Sequence, residues 1–420
     1  MKHAKQVEIL AELLRQIDMG VNIDAGGQLL NPAEVYTSRE IAEQEWHELF
    51  RNHPQIIGLS SDLPTCGSYL TADDFGVPVL ATRDSGGRLR AFVNACRHRG
   101  VQVARERRGA ALRFTCPFHA WTYSGEGDLL RIPRSADFGA IDQQARGLIE
   151  LPAEEFRGML WVHPQPGGEL RLADMLGSLA AELDEWGVGD LLFQAESTID
   201  MPLNWKLAND TFGETYHFAR LHRDTLGRLF HGDVLAWEPI GRNHRFVAAM
   251  TAIDGMRAIP ENDWQLLDGA LLVYFLFPNV QMTISRAGCN LVRIYPDPKD
   301  AGRSITRISH YLRPAVVEAL AAEGRPRVDA GNAYDPEARR DTELISVDAS
   351  REIFRSTIEE EDYAMGVSTQ RAVASGLLDH LIFGRNEPAL HHFHRGYREV
   401  LGMPPLRQAE SSPALQVAQA

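Results

Sequence analysis

The chain has 420 residues, of which 44% are hydrophobic and 24% charged, and its formal net charge is -14. This is the composition of a globular protein with room for two or three domains. The negative charge argues against nucleic acid and anionic membranes as partners, because a surface that binds either needs a dominant basic field. The four cysteines are too few for a disulfide scaffold, so we expect reduced thiols, some of them metal ligands.

The first predicted element is an amphipathic helix at the N-terminus. Val7, Leu10, Leu13, Leu14 and Ile17 share one helical face, and charged residues lie between them, whereas a signal peptide would be uniformly apolar. We therefore expect residues 1–38 to form a helical segment that packs on the large C-terminal domain. The longest apolar run, at 270–277, is far shorter than the ~20 residues of a membrane helix and predicts a buried strand. A cytoplasmic location without membrane contact is expected.

The rest of the chain divides into two predicted domains. Residues 39–165 contain short alternating apolar runs broken by Gly, Asp and Pro, which predict an all-β domain. Residues 166–420 predict an α+β domain with helical patterns at 172–186 and 201–222, several later strands, and a long helix from about Thr342 to Ser375. The polar stretch from Glu323 to Arg340 is predicted to be a loop.

Two cysteine-histidine pairs form the first candidate metal site. Cys96 and His98 lie on one turn, and Cys116 and His119 lie on a second turn. A Rieske [2Fe-2S] centre holds one iron with two thiolates and the other with two imidazoles, so each turn would supply one ligand of each kind. The alternative is zinc, but common zinc modules place both cysteines in one knuckle and both histidines in another.

A second candidate site lies in the helix-like segment around Glu214, His217 and His222. The two histidines are five positions apart, or about 140° around an ideal helix. For both to reach one metal, the helix must end, tighten or bulge between them. Two unrelated polar histidines are the alternative. Two imidazoles and one carboxylate would give the facial arrangement of non-haem iron oxygenases, with positions left for dioxygen.

The carboxylate of such a site is sought in the predicted long helix. Its buried stripe is predicted to contain Phe354, Ile358, Met365, Thr369 and Ala372. On this helical wheel Glu359 and Glu360 face away, whereas Glu361 and Asp362 flank the stripe. Periodicity does not choose between the last two, and a solvated acidic run is the usual interpretation of such a cluster.

Several segments resemble the ring-hydroxylating Rieske oxygenases, the family that includes naphthalene dioxygenase and carnitine monooxygenase. FVNACRHRG and CPFHAWTYSGEGDL resemble its Rieske domain, and NWKLANDTFGETYHFARLH is similar to its mononuclear-iron motif. The similarity covers nearly the whole chain, including FPNV at 277–280 and FGRNEPALHHFHRGY near the end. It implies a Rieske domain at 39–165 and a helix-grip catalytic domain, an antiparallel sheet with long helices, at 166–420.

The resemblance also implies roles for particular residues. Cys96 and Cys116 would hold the inner iron of the [2Fe-2S] cluster, and His98 and His119 its outer iron. The ligands of a mononuclear Fe(II) would be His217, His222 and Asp362, the last because an acid eight residues before a glutamine matches the family pattern. Glu214 would bridge to a Rieske histidine of a neighbouring subunit. Both differences from the family fall in the same segment: Asn209-Asp210 replaces the frequent Glu-Asn, and the bridging acid is Glu, as in the amine-oxidising branch, not Asp.

The function implied is that of a terminal oxygenase component that uses O2. Its electrons would come from NAD(P)H through a flavin reductase, with or without a ferredoxin, since the chain has no dinucleotide-binding motif. The family implies a homotrimer, with or without a small β subunit. The expected reaction is dihydroxylation of an aromatic small molecule in a pocket that includes Phe212, Phe218 and Asp210. Monooxygenation, including N- or O-demethylation, is the alternative, and an electron carrier or zinc-stabilised binding protein is the alternative of another class.

Two further clusters of residues are open to two interpretations. A basic rim at Arg97, Arg99, Arg105, Arg107 and Arg108 would dock an acidic electron donor, or it is a solvated loop. His391, His392 and His394 suggest another metal, but their position on a predicted surface helix favours unrelated histidines.

Overall fold

The structure is a computed structural model. It describes residues 1–322, 327–329 and 344–409, and the side chains of all of these except 327–329 and 344–347. Most of the loop predicted at Glu323 to Arg340 therefore lies outside the described residues.

The N-terminal segment is held against the C-terminal domain by an amphipathic helix. Helix α1 is His3–Met19, and it ends at Gly20, which adopts a left-handed conformation. Leu10, Leu13 and Leu14 are buried in a core cluster that also contains Val247 of the large sheet. After α1 come strand β1 (Leu29–Pro32), helix α2 (Arg39–Glu45) and a π-helical turn at Trp46–Arg51.

Three small antiparallel sheets form the all-β domain, as the alternating pattern predicts. One sheet has the order β10-β5-β4-β3-β6, the second the order β11-β12-β2, and the third the order β7-β8-β9. The strands are β2 Gln55–Leu59, β3 Ser68–Ala72, β4 Val79–Arg83, β5 Leu89–Val93, β6 Arg108–Ala110, β7 Arg113–Thr115, β8 Thr122–Ser124, β9 Leu129–Arg131, β10 Glu150–Leu151, β11 Ala153–Phe156 and β12 Met159–Val162.

The α+β domain is built on one seven-stranded antiparallel sheet with the order β13-β19-β18-β17-β16-β15-β14. Its strands are β13 Leu192–Met201, β14 Phe230–Ile240, β15 Asn243–Met250, β16 Ala270–Leu276, β17 Val280–Ile284, β18 Gly288–Pro296 and β19 Ser304–Leu312. The apolar run at 270–277 is thus mostly strand β16, which is almost entirely buried.

Helices pack on and around this sheet. They are α3 Leu172–Leu176, α4 Leu179–Glu185, α5 Trp205–Asp210, α6 Leu266–Gly269, α7 Pro314–Ala322, α8 Val347–Ser356, α9 Tyr363–Ala374 and α10 Pro388–Val400. The remaining strands are β20 Arg327–Asp329, β21 Leu344–Ser346, β22 His380–Phe383 and β23 Arg407–Gln408, of which β22 and β23 flank β1 in a three-stranded sheet.

Three predicted helices differ from the observed ones. The pattern at 172–186 forms two short helices, because the chain turns at Gly177, where φ is +53°. The pattern at 201–222 forms a helix only at Trp205–Asp210, and the segment after it consists of turns. The predicted long helix is interrupted by a π-helical turn at Thr357–Asp362, which joins α8 to α9.

Buried ion pairs join the two domains. Glu196 on β13 accepts hydrogen bonds from Arg107 and Arg108 of the all-β domain and from the fully buried Arg293 of β18, at 3.1, 3.0 and 2.8 Å. Burial raises the pKa of Glu196, but the three guanidinium groups lower it well below its usual range. Arg107 also pairs with Asp74 and Arg108 with Asp62, so acidic side chains offset the charge of both residues and neither belongs to a free basic rim.

Within the described ranges, no helix combines the length and the apolar character needed to cross a bilayer.

Candidate metal centres

Two tight turns carry the cysteine-histidine pairs. In the first, the Cys96 amide donates to the Val101 carbonyl at 2.8 Å, and the Gly100 amide donates to the Cys96 carbonyl at 2.8 Å. In the second, the Cys116 amide donates to the Trp121 carbonyl at 2.8 Å. Both thiols are buried, whereas the two imidazoles are partly exposed. The turns therefore place sulfur inside and imidazole outside.

The two imidazoles lie beside each other, and the two thiols are also neighbours. The rings of His98 and His119 lie 4.6 Å apart between centroids, and His98 also stacks on Trp121 at 5.2 Å. Burial raises the pKa of the Cys96 thiol, and the nearby Cys116 thiol raises it further. The Nδ1 of His119 is buried and has no hydrogen-bond partner among the described residues. Two thiols and two imidazoles with an unused ring nitrogen fit a [2Fe-2S] centre.

Tyr123 is a further contact of this site. Its hydroxyl lies 3.3 Å from the Cys96 sulfur and accepts a hydrogen bond from the Arg97 amide at 2.9 Å. Since the hydroxyl proton is then free to point at sulfur, Tyr123 can donate to Cys96. Hydrogen bonds to the ligand sulfurs tune the potential of such clusters.

The second site is shaped by turns. Helix α5 ends at Asp210, before both histidines, and so the angular conflict between His217 and His222 does not arise. The His217 carbonyl accepts from the Leu221 amide at 2.8 Å, and the His222 carbonyl accepts from the Gly227 amide at 2.7 Å. A Cβ at position 227 would lie 2.6 Å from a backbone oxygen, so this close approach requires glycine.

His217, His222 and Asp362 come together and form a candidate metal site, the one such cluster of three or more ligands found in the described part of the chain. The two Nε2 atoms are 3.1 Å apart, and Asp362 Oδ1 lies 3.2 and 3.1 Å from them. Ligands about 2.1 Å from one metal at right angles lie about 3.0 Å from each other, so these spacings fit a facial site. The donor set, two imidazoles and one carboxylate, suits iron.

Each histidine has its own acidic partner. Glu214 accepts from Nδ1 of His217, and Glu361 accepts from Nδ1 of His222 at 2.7 Å. Both Nε2 atoms are thereby left to face the centre. Thr225 donates to Glu361 at 2.9 Å and fixes its position. The sequence indicated Glu361 only as an alternative ligand, and no sequence signal singled out Thr225.

The carboxylates around the two histidines favour a bound cation at this site. Burial alone lowers the pKa of His217, but hydrogen bonds to Asp362 and Glu214 raise it to about 10. Burial raises the pKa of Asp362, and the two histidines lower it. Three carboxylates thus surround two imidazoles, and a divalent metal would supply the positive charge that protons otherwise provide.

The π-helical turn at Thr357–Asp362 explains an error in the predicted stripe. Phe354 and Ile358 are buried as predicted, but Met365 is 51% exposed. A π-helical turn takes about one residue more than an α-helical turn, so beyond it each buried position falls one residue later. The residues buried there in place of Met365, Thr369 and Ala372 are Gly366, Gln370 and Val373.

A cavity of about 70 Å³ adjoins the three ligands. Phe212 and Phe218 are among the residues that line it. Strand β16 adds Leu271 and Val273, and strands β15 and β17 add Phe246 and Thr283, which the sequence did not single out. The apolar lining consists of Phe212, Phe218, Leu226, Phe246, Leu271, Val273, Phe354 and Ile358.

Asp210, which was expected in the pocket, does not line this cavity. Its carboxylate accepts from the hydroxyl of Tyr36 at 2.8 Å and contacts Nε2 of His394 at 2.9 Å. Asn31 donates to the same Tyr36 hydroxyl at 2.9 Å. The acid that replaces the family's asparagine is therefore part of a network that ties α5 to α10 and to the N-terminal segment.

The three histidines of α10 do not converge. His394 is buried against Asp210, while His392 contacts His244 and donates to the Gly241 carbonyl at 2.9 Å. His391 is also buried. Helix α10 is consequently a packed helix and not the surface helix predicted, and its first turn begins with Pro388.

Comparisons with known proteins agree with both domains. A family model described as the Rieske [2Fe-2S] domain matches residues 53–145, and one described as the ring hydroxylating alpha subunit catalytic domain matches residues 188–403. A quaternary ammonium Rieske monooxygenase, CntA, has a similar structure, with a TM-score of 0.71 at 19% identity over 90% of this chain and 96% of that chain. This likeness defines the fold.

Curated relatives include both dioxygenases and monooxygenases. The chain is 29% identical over 204 residues to the anthranilate 1,2-dioxygenase large subunit of Acinetobacter baylyi, covering 47% of this chain and 43% of the relative. It is 30% identical over 205 residues to the glycine betaine monooxygenase oxygenase subunit of Chromohalobacter salexigens, covering 48% and 45%. The chain thus spans about half the length of the curated relatives it matches.

The fold and its two candidate centres define a Rieske-type protein with a second, non-haem metal site. The chain belongs to the family of ring-hydroxylating oxygenase alpha subunits, with an N-terminal Rieske [2Fe-2S] domain. The catalytic domain of this family implies a mononuclear iron site.

Proposed function

We propose that this chain is the terminal oxygenase component of a Rieske oxygenase system. Cys96, His98, Cys116 and His119 hold the [2Fe-2S] cluster in this proposal. His217, His222 and Asp362 hold the mononuclear iron. The observation that supports it most strongly is the mutual spacing of the last three ligands, at 3.1 to 3.2 Å, beside an apolar cavity.

An iron bound by these three residues supplies open coordination positions and the redox chemistry that activates dioxygen. The protein positions and protects that chemistry. Glu214 and Glu361 hold the Nδ1 protons of their histidines, which keeps both Nε2 lone pairs on the metal side. The phenylalanine rings exclude water from the substrate, and Asp362 supplies the negative charge that balances part of the metal's charge.

We infer from the family resemblance that electrons reach this iron from the cluster of a neighbouring subunit through Glu214. A homotrimer, with or without a small β subunit, would place the two centres side by side. The electron donor would be a flavin reductase that oxidises NAD(P)H, with or without a ferredoxin. Of the predicted basic rim, Arg97, Arg99 and Arg105 remain available to dock it. The four unpaired cysteines favour a reducing compartment such as the cytoplasm.

The leading substrate class is an aromatic small molecule, dihydroxylated in the course of its catabolism. Four phenylalanines line the cavity, which suits a planar apolar ring. The second candidate is monooxygenation of a non-aromatic or amine substrate, by hydroxylation or by oxidative N- or O-demethylation. The same four rings favour it, because aromatic faces also bind quaternary ammonium groups. The chain is about equally similar to an anthranilate dioxygenase and to a glycine betaine monooxygenase, which supports retaining both reactions as candidates.

Metal analysis combined with isotope labelling tests the proposal. The purified chain is expected to contain three irons and to show the visible absorbance of a Rieske cluster. With a surrogate reductase and ¹⁸O₂, mass spectrometry should find one labelled oxygen atom in a monooxygenated product and two in a dihydroxylated one. Two irons and no labelled product would favour an electron carrier. A colourless protein without iron after anaerobic reconstitution would refute the proposal.

A further inference from the structure

A second small cavity lies beside the iron cavity. Its volume is about 60 Å³, and its lining includes Asn290, His310 and Ser350. None of the proposed metal ligands lines it.

One row of side chains connects the two cavities across the sheet. Phe246 is paired with Val273, Val273 with Thr283, Thr283 with Asn290, and Asn290 with His310 on successive antiparallel strands. Residues directly opposite each other in antiparallel strands project from the same face. The first three line the iron cavity and the last two line the second cavity. The row therefore changes from apolar near the iron to polar at its far end.

Helix α8 covers both cavities. Phe354 lines the iron cavity, while Ser350 and Arg351, about one turn earlier, line the second. The Phe354 ring meets His310 edge to face, with 6.1 Å between centroids and an interplanar angle of 85°. This ring thus lines one cavity and contacts a residue that lines the other, and a ligand that occupied both would have to pass beside it.

His310 presents an unused hydrogen-bond acceptor. The side chain is only 7% exposed, its Nδ1 donates to Asn290 Oδ1 at 2.8 Å, and its Nε2 is buried without a partner among the described residues. Burial, together with the charge of Arg351, lowers the pKa of His310 to about 4, so the ring is neutral near pH 7. With the proton on Nδ1, the Nε2 atom carries a lone pair. A buried acceptor without a donor is unfavourable, and a ligand could satisfy it.

We propose that the second cavity is a polar subsite for the far end of the substrate, where His310 Nε2 accepts a hydrogen bond from an N–H or O–H group. Two strand spacings separate Thr283 from His310, or about 10 Å. The substrate is then an apolar, ring-containing molecule whose amino, amide or hydroxyl group lies at the end away from the oxidised carbon. A quaternary ammonium group has no such hydrogen. This inference rests on the proposed oxygenase function and narrows its substrate class.

Two probes of equal length test the subsite. 4-Aminobiphenyl carries an N–H donor, and 4-methylbiphenyl carries a methyl group in its place. Binding of each to the iron-loaded full chain is measured by calorimetry without oxygen, so that neither is consumed. The wild type should bind the amine about 5- to 10-fold more tightly, which is the effect of one hydrogen bond. His310→Phe should bind both equally.

His231→Phe is the matched control, because His231 lies outside both cavities and pairs with Asp254 on the surface. It should keep the full preference for the amine. If His310→Phe does not fold, Asn290→Ala serves instead, since loss of the Asn290 oxygen frees the proton to move to Nε2 and should lower the preference towards one.

The subsite is refuted if the wild type binds both probes equally, if it binds neither, or if His310→Phe keeps the preference. Failure of the oxygenase proposal looks different: the amine preference is present and depends on His310, but no oxygen-dependent product forms from any substrate. The two results are therefore separable.

Discussion

The two candidate metal centres differ in how far apart along the chain their ligands lie. Cys96, His98, Cys116 and His119 come from two neighbouring turns of one small domain. His222 and Asp362, in contrast, are 140 positions apart. His222 lies on the turns after α5, and Asp362 is the last residue of a π-helical turn. The first site depends on local backbone geometry, and the second depends on how a helix packs over the sheet. Damage to one should therefore leave the other intact.

The largest expected effect comes from Cys96→Ser, which removes a thiolate from the cluster. We expect complete loss of the visible absorbance and a fall from three irons to one per chain. The inner iron of the cluster needs two thiolates, and the variant keeps only that of Cys116. Iron analysis and absorbance spectra measure this. An intact spectrum would mean that the cluster ligands are assigned wrongly.

Asp362→Ala is the reciprocal test. The cluster spectrum should persist, and one iron per chain should be lost. Product formation should fall by at least about 100-fold, because replacing a residue that only hydrogen-bonds to a metal ligand already lowers activity by about 10- to 100-fold. Single-turnover assays with pre-reduced protein check the loss independently of the reductase. Normal turnover would exclude Asp362 as a ligand and make Glu361 the next candidate.

A smaller effect is expected from Glu361→Gln, which weakens the partner of the His222 Nδ1 proton. Iron affinity or turnover should fall about 10- to 100-fold, with the cluster unchanged. Glu360→Gln is the matched control, because the neighbouring Glu360 is exposed. Equal behaviour of the two variants would show that the acidic run acts only as a solvated surface.

The smallest effect is expected from Tyr123→Phe, which removes the hydroxyl beside the Cys96 sulfur. The cluster should form normally, but its reduction potential should fall by about 40 mV, the equivalent of one hydrogen bond of ~1 kcal/mol in a one-electron couple. Protein-film voltammetry measures the shift. An unchanged potential would mean that the hydroxyl does not donate to sulfur.

The difference between the centres also explains what the sequence could reveal. The Cys96 and Cys116 turns were recognisable because all their ligands lie within short motifs. The all-β and α+β domains were likewise predicted, since alternation over short runs and 3.6-residue periodicity are local signals. These features require no knowledge of distant contacts.

The remaining features depend on tertiary structure. Helical periodicity at 201–222 did not reveal that α5 ends at Asp210, because later turns are fixed by contacts such as that of Gly227 with the His222 carbonyl. The choice between Glu361 and Asp362 was open from periodicity, since a constant 3.6-residue repeat assigns both to the edge of the stripe. Thr283 gave no signal because its place in the cavity follows from strand pairing.

The π-helical turn at Thr357–Asp362 is a place where the chain can change in length by one residue. If one residue were deleted between Phe354 and Asp362, the turn could relax to a regular α-helix without loss of any ligand. Because the extra residue is accommodated within the turn, the side chains after it, including Asp362, would stay on the same face, and the buried stripe would return to a regular repeat. A homologue one residue shorter here could therefore present the same acid to the iron from an uninterrupted helix.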